Sequence, residues 1–336
     1  MKVSVTPFIF ATLFACNGEP KPKQGEEPVN TDDTGTEDTG GNIDCSATMT
    51  SVPSNELPTS SWFYRDAVEL TFTEVNPAVT LSAVDSQGNA VDVGFEWNES
   101  RELARVLPSS GTWAGDEDYT LTIDYCGNSD TLNFGTSEFG LPLDIAPANL
   151  VGRTYNIDLA TADYTHPPGI GTLLGQNIDQ PLLFGIETAS ASTLDFIAAL
   201  GITDNFGATT QSTGLWYFPD ADFADSPYFE AYAEFLQIEY GSIGIPIYDF
   251  RISGTFSADG NQIGMAHFSG LGDTRELGPA LSSSFGEDAI CNMLVAAGAE
   301  CEVCPGESSG EAFCAYLAGS IDTVNIIPNL TLVEME

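Results

Sequence analysis

Residues 247–270 read IYDFRISGTFSADGNQIGMAHFSG. Apolar and polar residues alternate through Phe250-Arg251-Ile252-Ser253-Gly254-Thr255-Phe256, and again through Gln262-Ile263-Gly264-Met265-Ala266-His267-Phe268. A period of two puts alternate side chains on one face of a strand. Between the runs lies Ser257-Ala258-Asp259-Gly260-Asn261. Asp-Gly supplies the positive φ that a tight hairpin needs. Two antiparallel strands joined by this turn are predicted, within a β-rich region.

That region extends over residues 141–336. Thr154 to Leu159 reads as a strand. His166 to Leu174, with Pro167 and Pro168, reads as a loop running into a short helix. Pro181 to Thr188 and Thr193 to Leu200 read as two strands, or as one strand and a buried helix, because short apolar runs fit both. A helix is expected near residues 287–297. The predicted domain is a twisted or partly closed sheet with a few short helices on one side.

Upstream, over residues 45–140, short alternating runs recur at Ala67–Phe72, Val79–Val84 and Tyr119–Tyr125. Turn signals separate them: Asp85 to Asn89, Asn98 to Ser100 and Cys126 to Ser129. About seven strands without a helix is the rhythm of an immunoglobulin-like β-sandwich. The whole chain is therefore predicted to be mainly β. The stretch RVLPSSGTWAGDEDYTLTIDYCGNSDTLNFGTS resembles the second half of the bacterial Ig-like domains of SbsA-type S-layer proteins and many surface lipoproteins. The elements that carry the likeness are Leu107-Pro108, Trp113, Tyr119, Gly127-Asn128 and Phe134 to Thr136. Tyr125-Cys126 stands where that family usually has an Asp before the turn. The resemblance implies a spacer module without chemistry of its own. Cys45 and Cys126 are the cysteines of this region, and in an exported chain the simplest reading pairs them. Such a bridge closes a loop of about 80 residues and stabilises by about 4–5 kcal/mol in the chain-entropy picture.

The first residues set the compartment. Lys2 precedes an apolar run from Val3 to Phe14, which has the length of a signal-peptide core and is too short to span a bilayer. Leu13-Phe14-Ala15-Cys16 resembles the lipobox of bacterial lipoproteins. The resemblance implies cleavage after Ala15, so that residues 1–15 are a signal peptide, and lipid attached to Cys16. Asn17 after the cysteine favours the outer membrane, on its periplasmic side or at the cell surface. Residues 16–44 are Pro, Gly, Thr and acid with few apolar groups, and are expected to form a disordered tether.

The 336 residues carry 49 acids against 9 Lys and Arg, a net charge of −40. The three lysines all precede residue 24. Such a chain repels phosphate backbones, so nucleic acid is excluded as a partner. The expected partners are the membrane, through the lipid, and an envelope glycan or protein.

Seven cysteines include a C-terminal group, Cys291, Cys301, Cys304 and Cys314. Cys-x-x-Cys at 301–304 allows a four-cysteine zinc site or a redox pair. The reading adopted for an oxidising compartment is two structural disulfides, in any of three pairings. No lipase elbow, zincin, phosphate-loop or dinucleotide motif occurs. His166 and His267 are the only histidines. FPDADFADSP places Asp220, Asp222 and Asp225 in a proline-bounded loop, the weak candidates for a calcium site; no other cofactor is expected. Asp273 and Arg275 are expected to pair, with Asp273 or Thr274 capping a helix. Trp216, Tyr217, Phe218, Tyr228, Phe229, Tyr232 and Phe235 form an aromatic-dense stretch, mostly core, whose exposed members are a candidate binding face. The function these features predict is binding, adhesion or structure at the envelope. The alternatives are an envelope-polymer hydrolase with its site in the C-terminal domain and a calcium-dependent adhesive module.

Overall fold

The computed structural model describes residues 46–55, 61–75, 77–167, 169, 178, 180–240, 243–296 and 298–335. The expected signal peptide, Cys16, the expected tether and Cys45 lie outside the described residues, as does most of the predicted helix after His166. The described chain is mainly β.

Its first part is a sandwich of eight antiparallel strands: β1 Met49–Val52, β2 Val68–Phe72, β3 Val79–Asp85, β4 Ala90–Val91, β5 Val93–Trp97, β6 Leu103–Pro108, β7 Asp118–Tyr125 and β8 Asn128–Gly135. One sheet runs β1-β2-β6-β5 and the other β4-β3-β7-β8. In letters this is ABED against C′CFG, the immunoglobulin order. Alternation decides which side chains meet: Val68, Leu70 and Phe72 of one sheet, and Tyr119, Leu121, Ile123 and Tyr125 of the other, are buried. Trp113 is buried between them, with its ring 4.9 Å from Tyr119 and 5.0 Å from Phe134. Its Nε1 donates to the Asp66 carbonyl at 3.1 Å. The expected Gly-Asn turn is shifted by one residue. Tyr125 pairs with Asn128, so the two turn residues are Cys126 and Gly127, with φ of 52° and 77°. Positive φ at both central positions is the type I′ signature.

The second part is a closed barrel. Its strands are β9 Thr154–Ile157, β10 Asp163–His166, β11 Leu182–Ala189, β12 Thr193–Thr203, β13 Thr209–Gln211, β14 Trp216–Asp222, β15 Tyr228–Tyr240, β16 Ile243–Phe256, β17 Gln262–Asp273, β18 Cys301–Val303 and β19 Ala312–Ile326. Eight of them close the ring in the order β9-β11-β12-β14-β15-β16-β17-β19. The last joins the first through Asn325 opposite Asn156 and Ile326 opposite Tyr155. The predicted sheet, twisted or partly closed, is thus fully closed, which removes free edges. Residues 193–200 form a strand, not a helix. Phe184, Phe196, Phe218, Phe229 and Phe256 fill the interior, each at most 1% exposed. Phe184 stacks on Phe196 at 4.3 Å.

The hairpin at residues 250–268 is present as β16 and β17. Asp259 Oδ1 accepts from Ser257 Oγ at 2.7 Å and from the Asn261 N–H at 2.9 Å. Gly260 has φ of 68°. Tyr155 Oη donates to the Gly260 carbonyl at 2.7 Å, so β9 clamps the turn.

Residues 136–153 carry the chain from sandwich to barrel and join the two. Phe139 lies flat on β17 at Gly264, where a Cβ would stand 2.3 Å from its ring. Arg65, between β1 and β2, reaches Asp225 at 3.2 Å and lies 4.0 Å over the Tyr228 ring. Two helices follow β17, α1 Leu277–Leu281 and α2 Ala289–Ala296. The second is the helix expected near 287–297.

Candidate binding face

Strands β15 and β16 pair in one continuous register from Tyr228 opposite Thr255 to Tyr240 opposite Ile243. In the first half of β15 the even residues Glu230, Tyr232 and Glu234 are exposed, while Phe229, Ala231 and Ala233 are buried. At Phe235 the parity flips: Phe235 is 40% exposed, and Leu236 and Ile238 are buried. Strand β16 flips opposite this point, at Asp249, whose φ is 50°. A local irregularity of this kind re-aims side chains. The barrel wall therefore presents Tyr232, Glu234, Phe235 and Asp249 on its outer side.

Neighbours fix these groups. Tyr232 Oη donates to Asp249 Oδ1 at 2.7 Å, and this bond holds the phenol pKa above its usual value. The Arg251 guanidinium stands 5.0 Å over the Tyr232 ring. Phe235 lies 5.7 Å from the Tyr248 ring. On β14, Tyr217 is 49% exposed, and its hydroxyl donates to Glu334. The aromatic-dense stretch is thus divided by the wall: Phe218 and Phe229 point into the core, and Tyr217, Tyr232 and Phe235 point out. Ring faces beside fixed carboxylates suit a ligand with both apolar patches and hydroxyl donors. Tyr248, Asp249 and Arg251 were not legible as members of this face. Only the β15–β16 register brings them to it.

The other predicted residues fall elsewhere. Residues 218–222 belong to strand β14, not to a loop, because Phe218 and Ala221 are needed in the barrel core. The Asp220 N–H donates to Asp195 Oδ1 at 2.9 Å. Asp222 Oδ1 accepts from the Ala224 N–H at 2.9 Å. Asp222, Asp225 and Glu230 line a recess of about 70 Å³ together with Tyr228 and Arg65; there the charge facing Asp225 is the Arg65 guanidinium. Among the described residues no three His, Cys, Asp or Glu side chains come together to hold a metal ion. His166 ends β10 against Tyr316, with ring centres 5.8 Å apart. His267 lies on β17 opposite Ser253 and Ser320; the residue is exposed at the surface, and partial desolvation of its ring lowers its pKa.

The C-terminal cysteines pair as Cys291–Cys301 and Cys304–Cys314. Cys126 is also disulfide-bonded; Cys45, its expected partner, lies outside the described residues. Arg275 pairs with Asp273 as expected and also reaches Glu307 at 2.8 Å. The capping expectation fails: the residue that starts α1 is Glu276, with no side-chain cap. Asp273 is spent on Arg275, and Thr274 Oγ1 donates to the Phe313 carbonyl at 2.8 Å. Above Phe313 opens a groove of about 440 Å³ lined by Glu287, Asp288, Glu311 and Ala312. No protein-family model and no curated protein sequence matches this chain.

Proposed function

We propose that this is an exported, lipid-anchored cell-envelope protein that binds an envelope glycan on the outer wall of its barrel. The observation that carries the binding reading is the parity flip at Phe235 and Asp249, which turns Tyr232 and Phe235 outward beside carboxylates on a rigid sheet. An exposed Phe in the middle of a long barrel strand costs solvation, so an occupant that covers it is favoured. The sandwich is the spacer, coupled to the barrel by Phe139 and Arg65. The lipobox-like Leu13-Phe14-Ala15-Cys16 supports the anchor, and residues 17–44 supply the tether.

The test of the face is sedimentation with purified envelope glycans, including peptidoglycan. Replacing Tyr232 and Phe235 together by Ala is expected to release the protein from the pellet; unchanged co-sedimentation of the double variant sinks the reading. The anchor is tested separately by fractionating a Cys16→Ser variant. It is expected to leave the membrane fraction, and its retention there counts against lipidation.

A further inference from the structure

Helix α2, AICNMLVA, has a single polar residue besides its disulfide cysteine, Asn292. A helix that is apolar all round belongs in a core. Only Ile290 and Cys291 of α2 are buried. Met293 and Val295 are 50% and 58% exposed, and Asn292 and Ala296 are exposed as well. Phe285 and Val303, on the segments flanking the helix, are also exposed. The two disulfides and the Arg275 bridges to Asp273 and Glu307 hold this lobe together. Its apolar surface is therefore a standing feature of the fold.

The rim says what would cover it. Residues 282–312 contain Glu287, Asp288, Glu300, Glu302, Glu307 and Glu311 and no basic residue. Among the described residues, only Glu307 of these six has a cationic partner. The remaining five are exposed around the helix. Glu287, Asp288 and Glu311 line the groove, with Phe313 among its walls. An anionic bilayer is repelled by this rim. A second copy would bring the same carboxylates against one another. An apolar strip edged by Lys or Arg satisfies both parts, because the strip covers α2 and the cations meet the rim.

We infer that the disulfide-bonded lobe is a docking platform for a basic amphipathic peptide segment of a partner protein. The Met293 side chain is suited to such a site, since an unbranched thioether adapts to varied apolar partners. This site is independent of the aromatic face on β15 and β16.

The experiment uses the full chain in detergent at about 0.15 M salt, where unspecific attraction to the net charge is largely screened. The probe is a synthetic Leu/Lys helix-forming peptide, followed by fluorescence anisotropy. A Ser/Lys peptide of equal charge is the first control, and vesicles of zwitterionic lipid are the second. The Leu/Lys peptide is expected to bind, and the Ser/Lys peptide to bind at least about tenfold more weakly. The double variant Met293→Ser, Val295→Ser is expected to lose about the same factor for Leu/Lys. Both positions are exposed, and intact disulfides with an unchanged circular dichroism spectrum check the fold. Glu302→Gln with Glu311→Gln is expected to weaken binding and flatten its salt dependence. Equal binding of the two peptides overturns the inference, as does indifference to the Met293 and Val295 changes. Vesicle binding that the double serine variant abolishes would assign the lobe to a membrane. Self-association that the same variant abolishes would assign it to a second copy. Either result overturns the peptide reading.

Discussion

The sandwich and the barrel are both antiparallel and both read by alternation, yet they are held together differently. The sandwich closes two open sheets over one another around Trp113, Tyr119 and Phe134. Its stability is layered, and each strand contributes one face. The barrel closes a single sheet on itself, and its ring depends on two residue pairs, Asn325 with Asn156 and Ile326 with Tyr155. Once closed, its interior is one continuous hydrophobic cluster, with Phe rings packed among Leu, Ile and Ala. Closure leaves the outer wall free to be elaborated: the C-terminal segment covers part of it with Leu330 and Leu332, the disulfide lobe covers another part at Tyr248 and Leu271, and Tyr232 and Phe235 stay open.

The largest effect is expected inside the barrel. Phe229 is fully buried and lies 4.9 Å from Phe196 and 5.1 Å from Phe256. Phe229→Ala should cost about 3–5 kcal/mol, and Trp113→Ala in the sandwich a comparable amount. Chemical denaturation checks both. If the two parts are coupled through Phe139, calorimetry should show one shared transition in each variant. Next comes Arg275→Leu, expected to cost about 2–3 kcal/mol, because Asp273 is 5% exposed and would be left without its partner. Loss of the lobe's protection from proteolysis, with the barrel intact, is the measurement.

The joint between the two parts is the next place to break the comparison. Gly264→Leu must displace Phe139, and a cost of about 1–3 kcal/mol is expected. The calorimetric transition should then split into a sandwich component and a barrel component. A single undivided transition would mean that the Arg65 contacts suffice. Arg65→Ala alone should cost only about 1 kcal/mol, the scale of a partly exposed ion pair with a cation–π contact.

Most of the strand pattern was legible because alternation is local. The β16–β17 hairpin needed only Asp259-Gly260 between two period-two runs, and α2 needed only its length. What lay out of reach depends on pairs distant in sequence. Nothing near Asn156 announces Asn325, so closure of the barrel was not visible. Residues 193–200 were ambiguous because a fully buried strand has no alternation to show. The Asp220 stretch looked like a loop because its acids and prolines outweighed Phe218 and Ala221, two small signals of a strand facing a core. The exposed face was half legible. The aromatic stretch stood out, but which rings face out was decided by a parity flip at Phe235 that only its pairing with Tyr248 of β16 reveals.

The two parts share one device, and a small effect should tell them apart. In the sandwich, the turn between β3 and β4 is held by Asp85, whose Oδ1 accepts from the N–H groups of Gln87 at 2.9 Å and Asn89 at 2.8 Å. In the barrel, Asp259 does the same for the β16–β17 turn. Hydrogen bonds from Asn89 hold the Asp85 carboxyl below its usual pKa; those from Asn261 and Ser257 do so for Asp259. A carboxyl whose folded pKa lies below its unfolded value contributes stability that is fully present above about pH 4 and lost as pH falls through the folded value. Replacing either Asp by Asn should therefore flatten the acid limb of stability below about pH 4 and leave the neutral region little changed. The magnitudes should differ. Around Gly88 a Cβ would meet nothing within 4 Å, whereas at Gly260 it would stand 2.6 Å from Leu150. The Asp259 turn is also clamped by Tyr155 and by Arg153, whose Nη1 donates to the Asp259 carbonyl at 2.8 Å. The barrel turn thus has two side-chain clamps from outside the hairpin, Tyr155 and Arg153, whereas the sandwich turn has beside Asp85 its own backbone bonds and the Ser86 N–H bond to Glu117. Asp85→Asn should change the acid limb more than Asp259→Asn, and the reverse order in acid titration of the two variants would show that the clamp depends on the Asp259 charge.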